Sequence, residues 1–336
     1  MSAGRRAEPA GATVRAGGEP RRLAYHGGQA TRGGEATMAR PGVPDPALAD
    51  RPPGTAVLRV EGRDVARYTW RPDLPLAMSP RPYLHPVRTL AGSTVTDAAP
   101  DSHPHQLGIS LAAPDVGGRN FWGGRTFVAG HGPAWLDNHG RQRHRRWLRH
   151  TGEELVHTLV WTDAHDRTLL AEQRTITCRP VDGTAWSLGL HTRLANVTDR
   201  PLTIRSPAAQ GRAGAGYGGF FWRGPAVADT ARLLSPAGTD AAAVNGSLAG
   251  WVAVTGTGEA GPWTVLFVPG DDTTARDRWF VRARDYLGVG SSLAWDRPLV
   301  LGPAETISRH LVTVVVDGAL SAATAGVLAD GVRQPA

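Results

Sequence analysis

Alternation of apolar and polar positions is the strongest signal in the chain. Between Thr184 and Val197, the side chains Trp186, Leu188, Leu190, Thr192 and Leu194 fall on one side, and Ser187, Gly189, His191 and Arg193 on the other. A period of two belongs to a strand with one buried face. Glu153–Trp161 and Leu169–Cys178 read as strands on either side of a turn-like Asp163–Arg167. Thr55–Val60 and Asp64–Trp70 flank Glu61-Gly62-Arg63 and read as a hairpin. His105–Ala112, Pro201–Ser206, Trp251–Thr255, Trp263–Val268 and the long, β-branched Glu305–Asp317 read as further strands. The Ala-rich Gly318–Val332 is the one segment that reads as a helix. Around a dozen short strands, with turn signals every ~8–12 residues, predict an all-β fold. The expectation is a large antiparallel β-sandwich with a short C-terminal helix.

Two stretches break the alternation. Residues 1–52 are rich in Gly, Arg, Ala and Pro and have no apolar period. They read as a disordered tail, with Met38 as an alternative start, and a single sandwich domain is expected over 53–332. Residues 113–152 carry Phe121, Trp122, Phe127 and Trp135, which argue against disorder. A long loop of this kind is expected to fold over and wall a site, with Gly117, Gly118, Gly123 and Gly124 at its bends.

Charge changes this picture little. All 37 basic residues are Arg, and the net charge is +7. With so much Ala, Gly and Pro, that composition reflects a GC-rich genome. Six Arg against three Glu in residues 1–37 put part of the excess in the tail. No basic helix or aromatic-interleaved basic stripe remains, so no nucleic-acid partner is expected. The run from His139 to Arg146 reads as a solvated basic turn. Cys178 is the only cysteine, which excludes an intrachain disulfide and any CxxC motif. No run approaches the ~18 apolar residues of a membrane span. No apolar segment follows Arg5-Arg6. A cytoplasmic protein with no membrane partner is the expectation. There is no P-loop or nucleophile elbow, and GRAGAG at 211–216 lacks the helix a dinucleotide site needs, so no cofactor is expected.

Candidate chemistry concentrates in Arg81–Gly108, RPYLHPVRTLAGSTVTDAAPDSHPHQLG. Prolines at 80, 82, 86, 100 and 104 exclude a helix. His103 and His105, two apart on extended backbone, are expected to point the same way and serve as acid/base groups. A metal held by His85, His103 and His105 is an alternative, not adopted because HxH lacks a third ligand at a signature spacing. Arg81, Tyr83, His85 and Arg88 suit ligand hydroxyls or a carboxylate. Glu172 shares a strand face with Leu170, Arg174, Ile176 and Cys178. It needs a partner there, either Arg174 or a histidine for which it is the catalytic counterpart. Asp285 is the other acidic candidate. Trp122, Tyr217, Arg223, Trp279 and Arg282 would complete a polar site with an aromatic platform, and eleven Trp leave several to stack on sugar rings or to fill the core.

RPYLHPVRT at 81–89, HPHQLGI at 103–109, AGYGGFFWR at 215–223 and WFVRARDYLGVG at 279–290 carry a resemblance. Over about 55–320 the chain resembles the domain family labelled "PmoA family" or "methane oxygenase PmoA". Gln106 stands where the pattern of that family tends to carry a further His. The resemblance implies a galactose-mutarotase-like supersandwich and a sugar-catabolic setting. Three functions follow: acid/base chemistry (isomerase, lyase or hydrolase) on a sugar or sugar derivative, a non-catalytic sugar-binding module, or the metal-dependent oxygenase of the label.

Overall fold

In the computed structural model, which describes residues 54–226 and 231–333, the alternation is realised on two large antiparallel sheets. The tail 1–52 and Met38 lie outside the described residues. The seven-stranded sheet runs, in spatial order, Gly54–Val60, Arg63–Arg71, Tyr83–Val87, Ile109–Ala112, Gly219–Arg223, Gly288–Ser292 and Arg278–Arg282. The eight-stranded sheet runs Arg232–Leu234, Val252–Gly258, Gly261–Pro269, Thr306–Asp317, Ala185–Asn196, Thr168–Asp182, Glu154–Thr162 and Arg141–His150. Smaller sheets join Leu299–Leu301 to Leu202–Arg205 and Asp115–Val116, and Thr126–Val128 to Gly132–Ala134.

The inward faces of the two sheets form one core. Leu58, Leu84, Ile109, Trp222 and Val289 meet Leu155, Ile176, Leu188, Phe267, Leu311 and Val315. Each such buried side chain stabilises by roughly 1.5–3 kcal/mol relative to exposure. Trp222 also donates from its indole to the Val95 carbonyl at 2.9 Å, so its polar atom is satisfied. In Ala185–Asn196 the parity is as predicted: Trp186, Leu188, Leu190, Thr192 and Leu194 are buried, and His191 and Arg193 are exposed. The helix Ala322–Arg333 covers the other face of the eight-stranded sheet, where Ala325 and Ala329 pack with Trp251, Leu266, Val268, Val312 and Val314. The all-β antiparallel sandwich with a C-terminal helix is therefore the fold. Among the described residues no helix is long and apolar enough to cross a membrane.

Three local expectations need correction. His105 is not in a strand: the strand begins at Ile109, and His103 and His105 sit in turns closed by His103 N to Pro100 O and Gln106 N to His103 O. Gly108, at φ +40°, makes the bend into the strand. The loop after 113 ends at 140. The basic run continues into Arg141–His150, an edge strand with one neighbour, Glu154–Thr162. An edge strand has less to bury, so its sequence lacks the alternation, and charged side chains there discourage pairing with other chains. A second α-helix, Ala241–Val244, is one turn long and capped by Asp240.

Candidate functional site

Strand parity builds the site. Phe220 and Trp222 join the core between the sheets, while their neighbour Phe221 packs on the opposite face of the seven-stranded sheet. Likewise Trp279 and Val281 point into the core, and Phe280 points away from it. Ala112, Trp122, Phe221 and Phe280 form a small buried cluster on that outer face, with Tyr217, Tyr286 and Trp295 packed against it. Trp122 lies 4.5 Å from the Tyr217 ring and 4.9 Å from Phe221. Over this aromatic floor opens a cleft of about 490 Å³, within the range of small-molecule sites.

Four segments wall the cleft: Ser102–Gln106, the Trp122–Trp135 loop, Arg212–Tyr217 and Phe280–Tyr286. Arg81 ties two of them together from beneath. It is fully buried and donates to the carbonyls of Trp122 (3.1 Å) and His105 (2.8 Å), and to Ser110 Oγ (3.2 Å). Asn120 shapes the second wall: its Oδ1 accepts from the backbone N–H groups of Trp122 and Gly123 at 2.8 and 2.9 Å. Gly124 then passes so close that a Cβ there would lie 2.8 Å from His105 Nδ1. His139 is bonded to the Gly124 carbonyl at 2.7 Å.

The two histidines open into this cleft with ring centroids 6.0 Å apart, and the His103 ring lies 5.0 Å from Tyr286. Burial, followed by electrostatic interaction with Arg81, His103, His139 and Arg223, brings the His105 imidazole down to about 4. Burial and Arg223 lower His103 as well, partly opposed by Asp285. Both imidazoles are therefore neutral at pH 7 and able to accept a proton. Burial pushes the Tyr217 phenol up to about 12 and raises Tyr286, so both keep a proton to donate. Arg223 lies over the Tyr286 ring at 4.6 Å and donates to Gln106 Oε1 at 2.7 Å.

Of the predicted site residues, His103, His105, Trp122, Tyr217, Arg282 and Asp285 come together as lining of this cleft. Arg223 stands behind it, holding Gln106 and Tyr286. The others do not line it. Arg81 serves the loops. Trp279 is 2 % exposed, with its indole on the Ala249 carbonyl, because position 279 has core parity. Tyr83 and His85 lie on Tyr83–Val87, two strands from Gly219–Arg223, and His85 bonds Thr96 Oγ1 at 3.0 Å. Among the described residues no three His, Cys, Asp or Glu side chains group as metal ligands, so His85 does not complete a trio with His103 and His105. Glu172 takes the paired alternative. Its carboxylate accepts from Arg174 Nε and Nη2, Trp161 Nε1 and Thr192 Oγ1 inside the sandwich.

Tyr286, Arg125, Arg212 and Trp135 carry no site motif of their own, yet all four line the cleft. Tyr286 adjoins Asp285 in WFVRARDYLGVG, and Arg125 and Trp135 lie in the loop expected to wall a site. Trp135 is 58 % exposed, an aromatic face turned to solvent at the rim.

A crystal structure from Escherichia coli K12, described as a "putative aldose 1-epimerase", is similar over 78 % of this chain and 99 % of its own, at 10 % identity and a TM-score of 0.40. A second so described, from Klebsiella pneumoniae subsp. pneumoniae, covers 53 % of this chain and 54 % of its own, at 10 % identity and a TM-score of 0.31. No curated protein matches the chain. One family model spans residues 55–330, nearly all that the structure describes, and its description carries no oxygenase label. The chain thus belongs to a family of unknown function, DUF6807.

Proposed function

We propose that the chain is an enzyme that moves a proton on a sugar or sugar derivative bound in the aromatic-floored cleft. The observation that carries this reading is the pair of neutral histidines, 6.0 Å apart, facing the same cavity as the phenols of Tyr217 and Tyr286. A neutral imidazole accepts a proton from a hydroxyl or an activated carbon, and a protonated phenol beside it returns one to oxygen. His103 and His105 are the bases, and Tyr286 and Asp285 stand beside them. The exposed indole of Trp135 and the floor of Trp122 and Phe280 offer flat apolar faces, which suit the C–H face of a pyranose. Isomerisation, elimination and hydrolysis all use this arrangement.

Proton NMR in D₂O, run on a panel of aldoses, uronates and keto-sugars, reads anomer exchange, C–H exchange and elimination together. Turnover of one class is expected. A general base contributes roughly 10²–10⁴-fold, so His105→Asn lowers that rate at least a hundredfold. Activity also falls as the pH drops through the lowered values of His103 and His105, since protonation removes the acceptor. A rate unchanged in His105→Asn overturns the assignment. Binding of a sugar without any turnover leaves a binding module.

A further inference from the structure

We propose that the ligand of this cleft carries an anionic group, a carboxylate or a phosphate, seated by Arg125, Arg212 and Arg282. The proposal rests on the sugar reading above and names the class of sugar.

The charges at the cleft do not balance. Arg125, Arg212 and Arg282 line it, against a single carboxylate, Asp285. Among the described residues none of the three has an acidic partner. Arg125 makes no hydrogen bond or ion pair among the described residues. Arg212 bonds the neutral Tyr217 hydroxyl. Arg282 donates to the carbonyls of Gly214 and Val281 and to Asn245 Oδ1, all uncharged acceptors, with its guanidinium 4.4 Å over the Phe280 ring. Other arginines of the chain do meet carboxylates: Arg309 pairs with Asp277, Arg205 with Asp115, Arg167 with Asp163 and Arg174 with Glu172. Three arginines from three separate segments, 125, 212 and 282, converge uncompensated on one cavity.

A bound anion supplies the counter-charge that these three guanidinium groups do not find among the described residues. A guanidinium fork suits the paired oxygens of a carboxylate or phosphate. Arg282 is held in place by its carbonyl bonds. Arg125 and Arg212 are exposed at the rim, free to close on the ligand. The anion's charge would also oppose that of Arg223 on both histidines and that of Arg81 on His105, so its arrival makes both imidazoles better bases.

The test is calorimetry with matched probes: methyl glucoside, glucuronate, glucose 6-phosphate, acetate and inorganic phosphate, in low salt and in 0.5 M NaCl. One of the two charged sugars is expected to bind at least tenfold more tightly than methyl glucoside, and the carboxylate and phosphate arms tell the two chemistries apart. Salt weakens that binding. Arg125→Gln and Arg212→Gln each cost roughly five- to tenfold in affinity, the lower end for a charge-assisted bond because both side chains are exposed. Arg125→Lys recovers part of the loss. Both arginines are surface residues, so folding of the variants is checked by their thermal transition. Methyl glucoside binding as tightly as the charged sugars overturns the anionic subsite and leaves the sugar reading standing. Acetate or phosphate binding as tightly as its sugar counterpart upholds the subsite and overturns the sugar reading. No binding by any anion, or full affinity in the Arg125→Gln/Arg212→Gln double variant, overturns the subsite.

Discussion

Glu172→Gln separates a structural carboxylate from a catalytic one. Glu172 Oε1 accepts from Arg174 Nε at 2.7 Å and Thr192 Oγ1 at 2.8 Å, and Oε2 accepts from Arg174 Nη2 at 2.9 Å and Trp161 Nε1 at 2.7 Å. The Glu172 and Arg174 side chains are 0 % and 1 % exposed. A glutamine fills the same volume but turns an NH₂ toward two of those donors. It also leaves the Arg174 charge inside the sandwich with neutral acceptors alone: the one remaining amide oxygen of residue 172, Tyr68 Oη and Gln142 Oε1. Breaking a buried pair from one side costs about 3–5 kcal/mol, a large share of the ~5–15 kcal/mol of a typical domain. The melting temperature should fall by roughly 6–15 °C. The assay is thermal and urea unfolding of wild type, Glu172→Gln and the exposed control Gln173→Glu, which is expected to stay within about 0.5 kcal/mol. Glu172→Leu combined with Arg174→Met should recover most of the loss, because no charge is left buried and unpaired. Sugar affinity of the folded fraction should be unchanged. A Glu172→Gln protein as stable as wild type that has lost turnover would refute the reasoning and return Glu172 to the chemistry.

Two further outcomes follow from the same geometry. His157 is fully buried, its ring nitrogens on Tyr68 Oη and His144 Nδ1, and burial followed by Arg174 and His144 takes it down to about 2. The unfolded chain then binds the proton that the folded one refuses. Stability is full above about pH 6.5 and falls by up to about 1.4 kcal/mol per unit as the pH drops below it. Urea unfolding at several pH values should show this limb, and His157→Gln should flatten it; an unchanged limb would rule His157 out as its source. Gly124→Ala, at φ +68° and 2.8 Å from His105 Nδ1, should disturb ligand binding and cost about 1–2 kcal/mol in backbone strain alone. Gly118→Ala, at φ +83° with nothing within 4 Å, should carry only the backbone term and leave binding intact. Equal effects of the two on binding would show that contact with His105 does not matter.

Much of the architecture was legible in the chain because a strand with one buried face writes its parity into the sequence. Ala185–Asn196 did so at nearly every position, and the hairpin of Gly54–Val60 with Arg63–Arg71 announced its own turn. The concentration of chemistry around His103 and His105 was equally a property of the sequence, as was the promise of a loop from residue 113, though expected to run to 152 where the strand Arg141–His150 ends it at 140. What the sequence could not settle was facing and company. Trp279 and Phe280 are both aromatic, so composition alone does not say which enters the core; the sheet assigns Trp279 to the interior and Phe280 to the cleft. Arg81 reads like any ligand-binding arginine until four loop carbonyls and Ser110 are seen to surround it. Glu172 had two plausible partners two residues or many residues away, and only the fold shows Trp161 and Thr192 completing the nearer choice. The meeting of Arg125, Arg212 and Arg282 has no local signature. Period and propensity act over a few residues, whereas a site assembled from segments far apart in the chain exists only once the two sheets have packed and fixed where their loops emerge.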